Sequence, residues 1–176
     1  IEITMNTPGA EQMIRYAAER YGSQLNIGAG TVCSLQDLGK ALQAGAQFIV
    51  TPITDEPVIR LCRQKAVPVF AGAFTPAEIY KAWELGADMV KIFPATSLGT
   101  QYIKDLKGPF NQIKLMPTGG VNIGNCVDFL DAGAEGLGMG GRLFDKARIR
   151  NKDWMALSTA FACLVRKIKN WQTASV

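Results

Sequence analysis

Short apolar runs alternate with amphipathic stretches along the whole chain, and each pair occupies roughly 20 to 25 residues. Three of the amphipathic stretches end in a similar turn, at Gly45, Gly86 and Gly133, each followed by alanine and a new apolar run. Glycine is common just past the end of a helix. Because neighbouring parallel strands need a crossover, usually a helix, this rhythm predicts an α/β fold with a parallel sheet covered by helices.

The predicted elements follow one another in strict order. Strands are predicted at residues 1–5, 24–28, 48–51, 67–71, 89–93, 114–117 and 136–139, and helices at residues 9–21, 34–44, 56–64, 76–85, 101–106, 125–131 and 153–171. Ser34 and Thr75 precede two of these helices as N-cap residues, the second directly before Pro76. The strands are apolar on both faces, which is typical of a parallel sheet buried between helices.

The chain opens at Ile1, inside a predicted strand and without an initiator methionine, so we expect that residue 1 is not the true start. One more strand–helix unit before it would make eight. The sequence therefore favours a TIM-type (β/α)8 barrel whose first unit is missing from this chain, with residues 1–176 as a single barrel domain, although complete barrels typically need about 250 residues. A seven-stranded doubly wound open sheet is the alternative.

Composition removes several classes of function. The chain has no histidine, which excludes histidine triads, histidine general bases and the commonest zinc sites, and no metal or other cofactor is expected. The net charge of +4 comes from scattered basic residues, so nucleic-acid binding is not predicted. No apolar run approaches the roughly 20 residues of a membrane span, and we expect a soluble, cytoplasmic protein. The four cysteines lie far apart without a CxxC pair and are expected to be reduced, packed thiols.

Functional groups of a parallel barrel gather where strands end and loops begin. Lys91 is the most unusual of these groups, because it lies in an apolar run on the same strand face as Met89 and Phe93. Desolvation there would lower the pKa of the amine from about 10.4 and produce the neutral nucleophile that attacks a ketone. The alternative is a lysine at a strand end that extends into solvent.

Glu2 is the second unusual group, since it lies between two isoleucines, and alternation places it with Thr4 on one face of the first strand. If that face is the barrel interior, the carboxylate needs a partner, which Lys91 could provide. A carboxylate beside a Schiff base could also carry the proton that an aldol cleavage moves. Otherwise Glu2 is a solvent-facing residue at a frayed end.

Two glycine pairs, Gly119-Gly120 and Gly140-Gly141, follow the last two predicted strands. Barrels commonly bind phosphate at this position through backbone N–H groups. Arg142 follows the second pair directly and would add a charged donor. Glycine-rich turns also arise for steric reasons alone, but two pairs after adjacent final strands favour a phosphate site.

With these residues in place, the chain resembles the bacterial 2-keto-3-deoxy-6-phosphogluconate (KDPG) / 4-hydroxy-2-oxoglutarate (KHG) aldolase family. The resemblance runs nearly end to end, through IEITMNTP, GAGTV, GAQFIVTP, VKIFPA, MPTGGV and GMGGRLF in the family's order. It implies a metal-free class I aldolase that cleaves KDPG to pyruvate and glyceraldehyde 3-phosphate, and by extension KHG to pyruvate and glyoxylate. It also implies a homotrimer.

The resemblance implies a role for each matching residue. Lys91 matches the Schiff-base lysine and Glu2 the acid/base. Thr31 matches the threonine that holds the substrate carboxylate, while Pro52 and Phe93 line the pyruvyl pocket. Thr118, Gly119 and Gly120 match residues that reach the distal end and the phosphate. The other expected substrate-binding residues follow from their places at strand ends and in the second glycine pair, and they are Thr4, Asn6, Gly140, Gly141 and Arg142.

Departures from the family pattern bear on the substrate. Many members have arginine where this chain has Asn6, and asparagine there is also found in 2-keto-3-deoxy-6-phosphogalactonate (KDPGal) aldolases. Those relatives tend to have an apolar residue at the position of Thr118, and many family members have serine at the position of Arg142. KDPG is therefore the first expectation and KDPGal the second.

Two further classes of function stay open at the level of the sequence. A phosphate-binding barrel isomerase or epimerase would use the same glycine pairs but would leave Lys91 unexplained. A non-catalytic barrel that only binds a sugar phosphate would hold its ligand without releasing pyruvate.

Overall fold

The computed structural model describes residues 1–174, which form two compact units, the first Ile1–Phe93 and the second beginning at Pro94. Strands and helices alternate without exception in the first unit. Its elements are β1 (Glu2–Thr4), α1 (Ala10–Tyr21), β2 (Gly28–Gly30), α2 (Leu35–Gln43), β3 (Phe48–Val50), α3 (Glu56–Gln64), β4 (Val69–Ala73), α4 (Pro76–Glu84) and β5 (Met89–Ile92). The four predicted helices of this unit are confirmed to within one residue at either end.

The five strands of the first unit pair in parallel in the order β1-β2-β3-β4-β5, which is also their order along the chain. A doubly wound sheet reverses its strand order at a switch point, whereas a barrel adds each new strand beside the last one. This order confirms the barrel class and excludes the doubly wound alternative. Within the described residues of the unit, the sheet is an open segment of such a barrel.

Each helix of the first unit contributes a fully buried aliphatic side chain to the core. These side chains are Ile14 in α1, Leu38 in α2, Ile59 in α3 and Ile79 in α4. Complete burial of such a side chain stabilises the fold by about 1.5–3 kcal/mol. The helical spacing of apolar residues predicts these helices because that spacing places such side chains on the buried face.

Side-chain caps fix where two of these helices begin. Ser34 Oγ accepts a hydrogen bond of 3.1 Å from the backbone N–H of Asp37. At the start of α4, Thr75 Oγ1 accepts from Glu78 N at 3.4 Å, and the Glu78 carboxylate accepts from Thr75 N at 2.7 Å. This reciprocal pair is a capping box, and it confirms the N-caps predicted at Ser34 and Thr75.

The second unit contains α5 (Ala95–Lys107), β6 (Leu115–Pro117), α6 (Cys126–Asp131), α7 (Lys146–Arg150) and α8 (Trp154–Ala174). The predicted strand at residues 136–139 is wrong, because this segment makes only an isolated parallel bridge between Gly138 and Thr118. Glycine weakens a strand, and the segment is rich in it. Helix α5 starts six residues earlier than predicted, since Gly99, at a φ of 69°, interrupts the helical spacing of its first half.

Within residues 1–174, none of the helices combines the length and the apolar character that a bilayer span requires. The same residues contain no group of three or more acidic or thiol side chains placed to hold a metal ion.

Candidate active site

Lys91 lies in β5 and is buried, with 6% of its surface exposed. Of the residues that the structure describes, it is the single charged side chain in the buried class, and Thr51 is the single other polar one. The strand continues on either side of Lys91 as buried aliphatic residues, Val90 and Ile92. The alternative in which this lysine extends into solvent is therefore wrong.

The surroundings of Lys91 disfavour the charged form of its amine. Burial lowers its pKa below the ordinary 10.5, while the charges of Glu2 and Cys33 oppose the shift. Within the described residues, the Lys91 amine makes no hydrogen bond and no ion pair. Every fully buried side-chain nitrogen or oxygen among these residues has a hydrogen-bond partner. The amine is therefore not fully buried and keeps some contact with solvent. The ring of Phe93 lies against it, with 4.9 Å between Nζ and the ring centroid. Such an amine is accessible to a small molecule and loses its proton more easily than an ordinary lysine.

Glu2 lies in β1, with its carboxyl group over the backbone of Gly30 in β2. A Cβ atom at position 30 would overlap that carboxyl group, so only glycine leaves room for it. Although Glu2 as a residue is exposed, desolvation of the carboxyl group raises its pKa above the ordinary 4.5, and Lys91 opposes the shift. Glu2 and Lys91 therefore interact electrostatically, and both environments favour the uncharged form. Groups shifted in this way are candidates for proton transfer.

Thr31 follows β2 directly and has a left-handed backbone, with a φ of 52°. Few residues other than glycine adopt this conformation, and such strain is concentrated at functional sites. Pro52 follows β3, and its carbonyl group packs on Gly72, the register partner of Lys91. The loop residues after β2 and β3 thus lie at the same end of the sheet as the neighbours of Lys91.

Thr4 and Asn6 lie at the end of β1. The hydroxyl oxygens of Thr4 and Thr7 are 2.9 Å apart, which orders the turn after the strand, and Asn6 is exposed. Thr4 is thus on the strand that carries Glu2, and Asn6 lies in the turn that follows it.

In the second unit, Gly119 and Gly120 form a tight turn with φ values of 91° and 78°. The amide groups of Asn122 and Asn125 donate to the carbonyl oxygen of Gly120, at 3.0 and 3.2 Å. The N–H of Gly119 faces Gly138 across the parallel bridge between Thr118 and Gly138, whereas the N–H of Gly120 donates no hydrogen bond within the described residues. A turn with its carbonyl held and a free N–H group can bind an anion.

Arg142 and the glycine pair before it are exposed. The carbonyl oxygen of Gly140 accepts from Leu143 N at 2.8 Å and from Phe144 N at 3.1 Å. Arg142 lines an open cleft of about 660 Å³ in the second unit, together with Asp145 and Arg148. The bridge between Gly138 and Thr118 joins the two glycine-rich segments, as a shared phosphate site would require.

Comparison with known proteins assigns this site to a family. The model of the KDPG and KHG aldolases matches residues 1–160. The chain belongs to the KDPG and KHG aldolase family. These enzymes are carbon–carbon lyases, and this membership leaves the isomerase or epimerase alternative without support.

Two relatives of this aldolase differ in their substrates. The 2-dehydro-3-deoxy-6-phosphogalactonate aldolase of Escherichia coli (strain K12) is 38% identical over 145 residues, which cover 82% of this chain and 71% of the relative. The 2-dehydro-3-deoxy-phosphogluconate aldolase of Haemophilus influenzae is 36% identical over 155 residues, covering 87% and 72%. The two relatives thus agree in family and differ in the sugar acid that they are named for.

A solved structure is similar both in fold and in chemistry. The KDPG aldolase of Legionella pneumophila, captured with pyruvate as a covalent carbinolamine intermediate, superposes with a TM-score of 0.84 at 26% identity, covering 93% of this chain and 79% of that one. A carbinolamine precedes a Schiff base, so that enzyme reacts with pyruvate through an amine.

The structure also places near Lys91 one residue that sequence reasoning missed. Cys33 is exposed, and it interacts electrostatically with Lys91. Burial of its thiol and nearby carboxylates raise the pKa of Cys33 above 9.0. All four cysteines are free, as predicted, but only Cys62 and Cys126 are packed, and the prediction of packed thiols is wrong for Cys33 and Cys163. The position of Cys33, two residues after Thr31, was the available signal.

Proposed function

We propose that this chain is a class I aldolase in which Lys91 forms a Schiff base with the C2 ketone of a 2-keto-3-deoxy sugar acid phosphate. The observation that carries the proposal is the buried Lys91 amine with its lowered pKa, next to Glu2, in a member of an aldolase family. KDPG would yield pyruvate and glyceraldehyde 3-phosphate, and KHG would yield pyruvate and glyoxylate.

The proposed steps need one amine and one carboxyl group. The neutral Lys91 amine adds to the C2 carbonyl to form a carbinolamine. The protonated Glu2 carboxyl group then donates a proton to the departing hydroxyl, so that water leaves, the iminium ion forms and Glu2 remains as the carboxylate. The Glu2 carboxylate removes the proton of the C4 hydroxyl, the C3–C4 bond breaks, and its electron pair moves into the iminium to form an enamine. After the aldehyde leaves, Glu2 returns a proton to C3, and water hydrolyses the iminium to release pyruvate and the free amine.

The remaining site residues would bind the substrate along its length. Thr31 would hold the C1 carboxylate, with Pro52 and Phe93 around the pyruvyl carbons. Towards the distal end we place Thr4, Asn6, Thr118, Gly119, Gly120, Gly140, Gly141 and Arg142. The free N–H of Gly120 and the exposed guanidinium of Arg142 support a phosphate there.

We propose KDPG as the first substrate, because the hydroxyl of Thr118 gives the distal end a polar group that KDPGal aldolases tend to lack. KDPGal is the second candidate, supported by Asn6 and by the 38% identical E. coli relative. We further propose a homotrimer, which the family resemblance implies.

Coupling pyruvate release to lactate dehydrogenase tests the proposal with KDPG, KDPGal and KHG as substrates. We expect the wild-type chain to release pyruvate fastest from KDPG. Lys91→Met should abolish release, and Glu2→Gln should slow it by about 10²–10⁴-fold, the usual contribution of a general acid or base. Lys104→Met, which removes an exposed lysine from α5, is the matched control and should leave the rate unchanged. Binding of these substrates without pyruvate release would contradict the proposal.

A further inference from the structure

Beyond the last backbone hydrogen bond between β3 and β4, two threonine side chains continue the hydrogen bonding. Thr51 N donates to Phe70 O at 3.1 Å, the last backbone bond of this ladder. At the next position, the N–H of Gly72 donates to Thr51 Oγ1 at 3.1 Å. The carbonyl oxygen of Gly72 accepts from Thr54 Oγ1 at 2.9 Å, and Glu78 O lies farther from that hydroxyl, at 3.5 Å. Side chains thus satisfy both backbone groups of Gly72 on this edge.

These bonds hold the segment 51–54, which we call the threonine strap, tightly on β4. A Cβ atom at Gly72 would overlap the carbonyl carbon and oxygen of Pro52, so the strap occupies the space of a side chain. Thr51 is fully buried, and its hydroxyl also donates to Ile53 O at 2.5 Å. Its oxygen therefore has one acceptor and one donor in fixed positions.

The strap lies beside Lys91 because of the strand register. Gly72 in β4 is the register partner of Lys91 in β5. Register partners in neighbouring strands point their side chains to the same face of the sheet. The carbonyl of Pro52, which fills the side-chain position of Gly72, is therefore the immediate neighbour of the Lys91 side chain on that face.

We propose that Thr51 and Thr54 are positioning residues that hold Pro52 against Gly72 and thereby set the room for the keto acid at Lys91. The proposal rests on the proposed function, since it concerns the same amine. A strap held on both sides leaves a fixed space next to the amine, which fits the methyl group of pyruvate better than the ethyl group of 2-oxobutanoate. Loosening the strap should weaken the binding of pyruvate and also reduce the discrimination between these two keto acids.

Borohydride trapping at Lys91 tests this inference when the half-saturating concentrations of pyruvate and 2-oxobutanoate are measured separately. Thr51→Val and Thr54→Val keep the shape of each side chain and remove the hydroxyl. We expect each substitution to raise the half-saturating concentration of pyruvate by about tenfold, since buried hydrogen-bonding groups lose their partners. We also expect the half-saturating concentrations of pyruvate and 2-oxobutanoate to differ less than in the wild type. Thr51→Ser keeps the hydroxyl and should remain close to wild type.

Thr159→Val is the matched control, because Thr159 is exposed in α8 and its hydroxyl donates to Met155 O at 2.9 Å. It should leave both concentrations unchanged. A loss of stability alone would lower the amount of folded protein without altering the ratio between the keto acids. Should Thr51→Val fail to fold, Thr54→Val decides the test.

Two failures are distinguishable. If the wild-type chain forms no adduct, the proposed function itself fails, and the inference fails with it. In the second case the wild-type chain forms the adduct, but the folded valine variants have the same half-saturating concentrations and the same discrimination as the wild type. The strap then has no positioning role, and only the inference is overturned.

Discussion

Replacing Lys91 by methionine should stabilise the folded chain, and most strongly at low pH. The pKa of the buried amine lies below 10.5, so the folded state binds fewer protons than the unfolded state between the lowered pKa and 10.5. Wild-type stability therefore rises with pH through that window, whereas a methionine side chain does not titrate. The stability gain of Lys91→Met should be largest below the lowered pKa and should shrink as the pH approaches 10.5.

Urea unfolding of the wild type and of Lys91→Met at a series of pH values measures the difference in their free energies of unfolding. Lys104→Met serves as the control, because Lys104 is exposed and its replacement should give no such trend. A gain that stays constant with pH would show that the Lys91 amine is not desolvated.

Arg142→Ala should raise KM for a phosphorylated substrate far more than KM for KHG. The guanidinium is exposed beside the second glycine pair, where a charge-assisted bond to phosphate is worth about 1.5–3 kcal/mol, or roughly tenfold or more in KM. Steady-state kinetics of the wild type and of Arg142→Ala give the KM for KDPG and the KM for KHG. Arg150→Ala removes the same charge from the exposed surface of α7 and should change neither value. Equal effects of Arg142→Ala on both substrates would refute the phosphate assignment.

Lys91 and Glu2 could be recognised from sequence because each interrupts an apolar run, and a polar group on a buried strand face needs a reason. Thr54 could not be recognised, since its partner Gly72 is distant in the chain and the bond depends on where β3 ends. For Cys33 the position two residues after Thr31 is the one signal, and a lone cysteine after a strand adds no pattern of its own. Their roles depend on the register between strands, which a single sequence does not specify.

Among the elements, helices were easier to place than strands. The helix at 56–64 has the predicted bounds, since Asp55 caps its start with a bond of 2.9 Å to Val58 N. The strand predicted at 24–28 instead occupies Gly28–Gly30, a run of low strand propensity. Glycine suits these positions because Phe48 packs over Gly28 and the Glu2 carboxyl group over Gly30. Close tertiary approach thus overrides local preference.

The capping box of α4 gives a prediction at the same scale. Thr75→Ala should lower the free energy of unfolding by about 1 kcal/mol, because the N–H of Glu78 loses its acceptor. Pyruvate release should be unchanged, since neither Thr75 nor Glu78 is a proposed substrate-binding residue and the strap keeps its bonds to Gly72. Urea unfolding and the coupled assay measure the two effects, with Thr159→Ala in α8 as the control for loss of a threonine hydroxyl. A large fall in turnover without a loss of stability would contradict the purely structural role of Thr75.

For the molecule as a whole, the alternation of strands and helices was enough to predict the barrel class, because parallel pairing leaves few other solutions. The strand predicted at residues 136–139 does not form, because this glycine-rich segment makes only one isolated bridge to its neighbour. A single domain across residues 1–176 and a homotrimer remain predictions, since both depend on contacts beyond those that set the strand order.

Mass spectrometry of the chain after treatment with pyruvate and borohydride tests the central claim most directly. Reduction makes a Schiff base permanent, so one pyruvate-derived mass should appear on the peptide that contains Lys91. It should be absent from Lys91→Met and present at the wild-type level in Lys104→Met. An unmodified Lys91 peptide, or an equal adduct on exposed lysines, would contradict the account of Lys91 as a desolvated nucleophile.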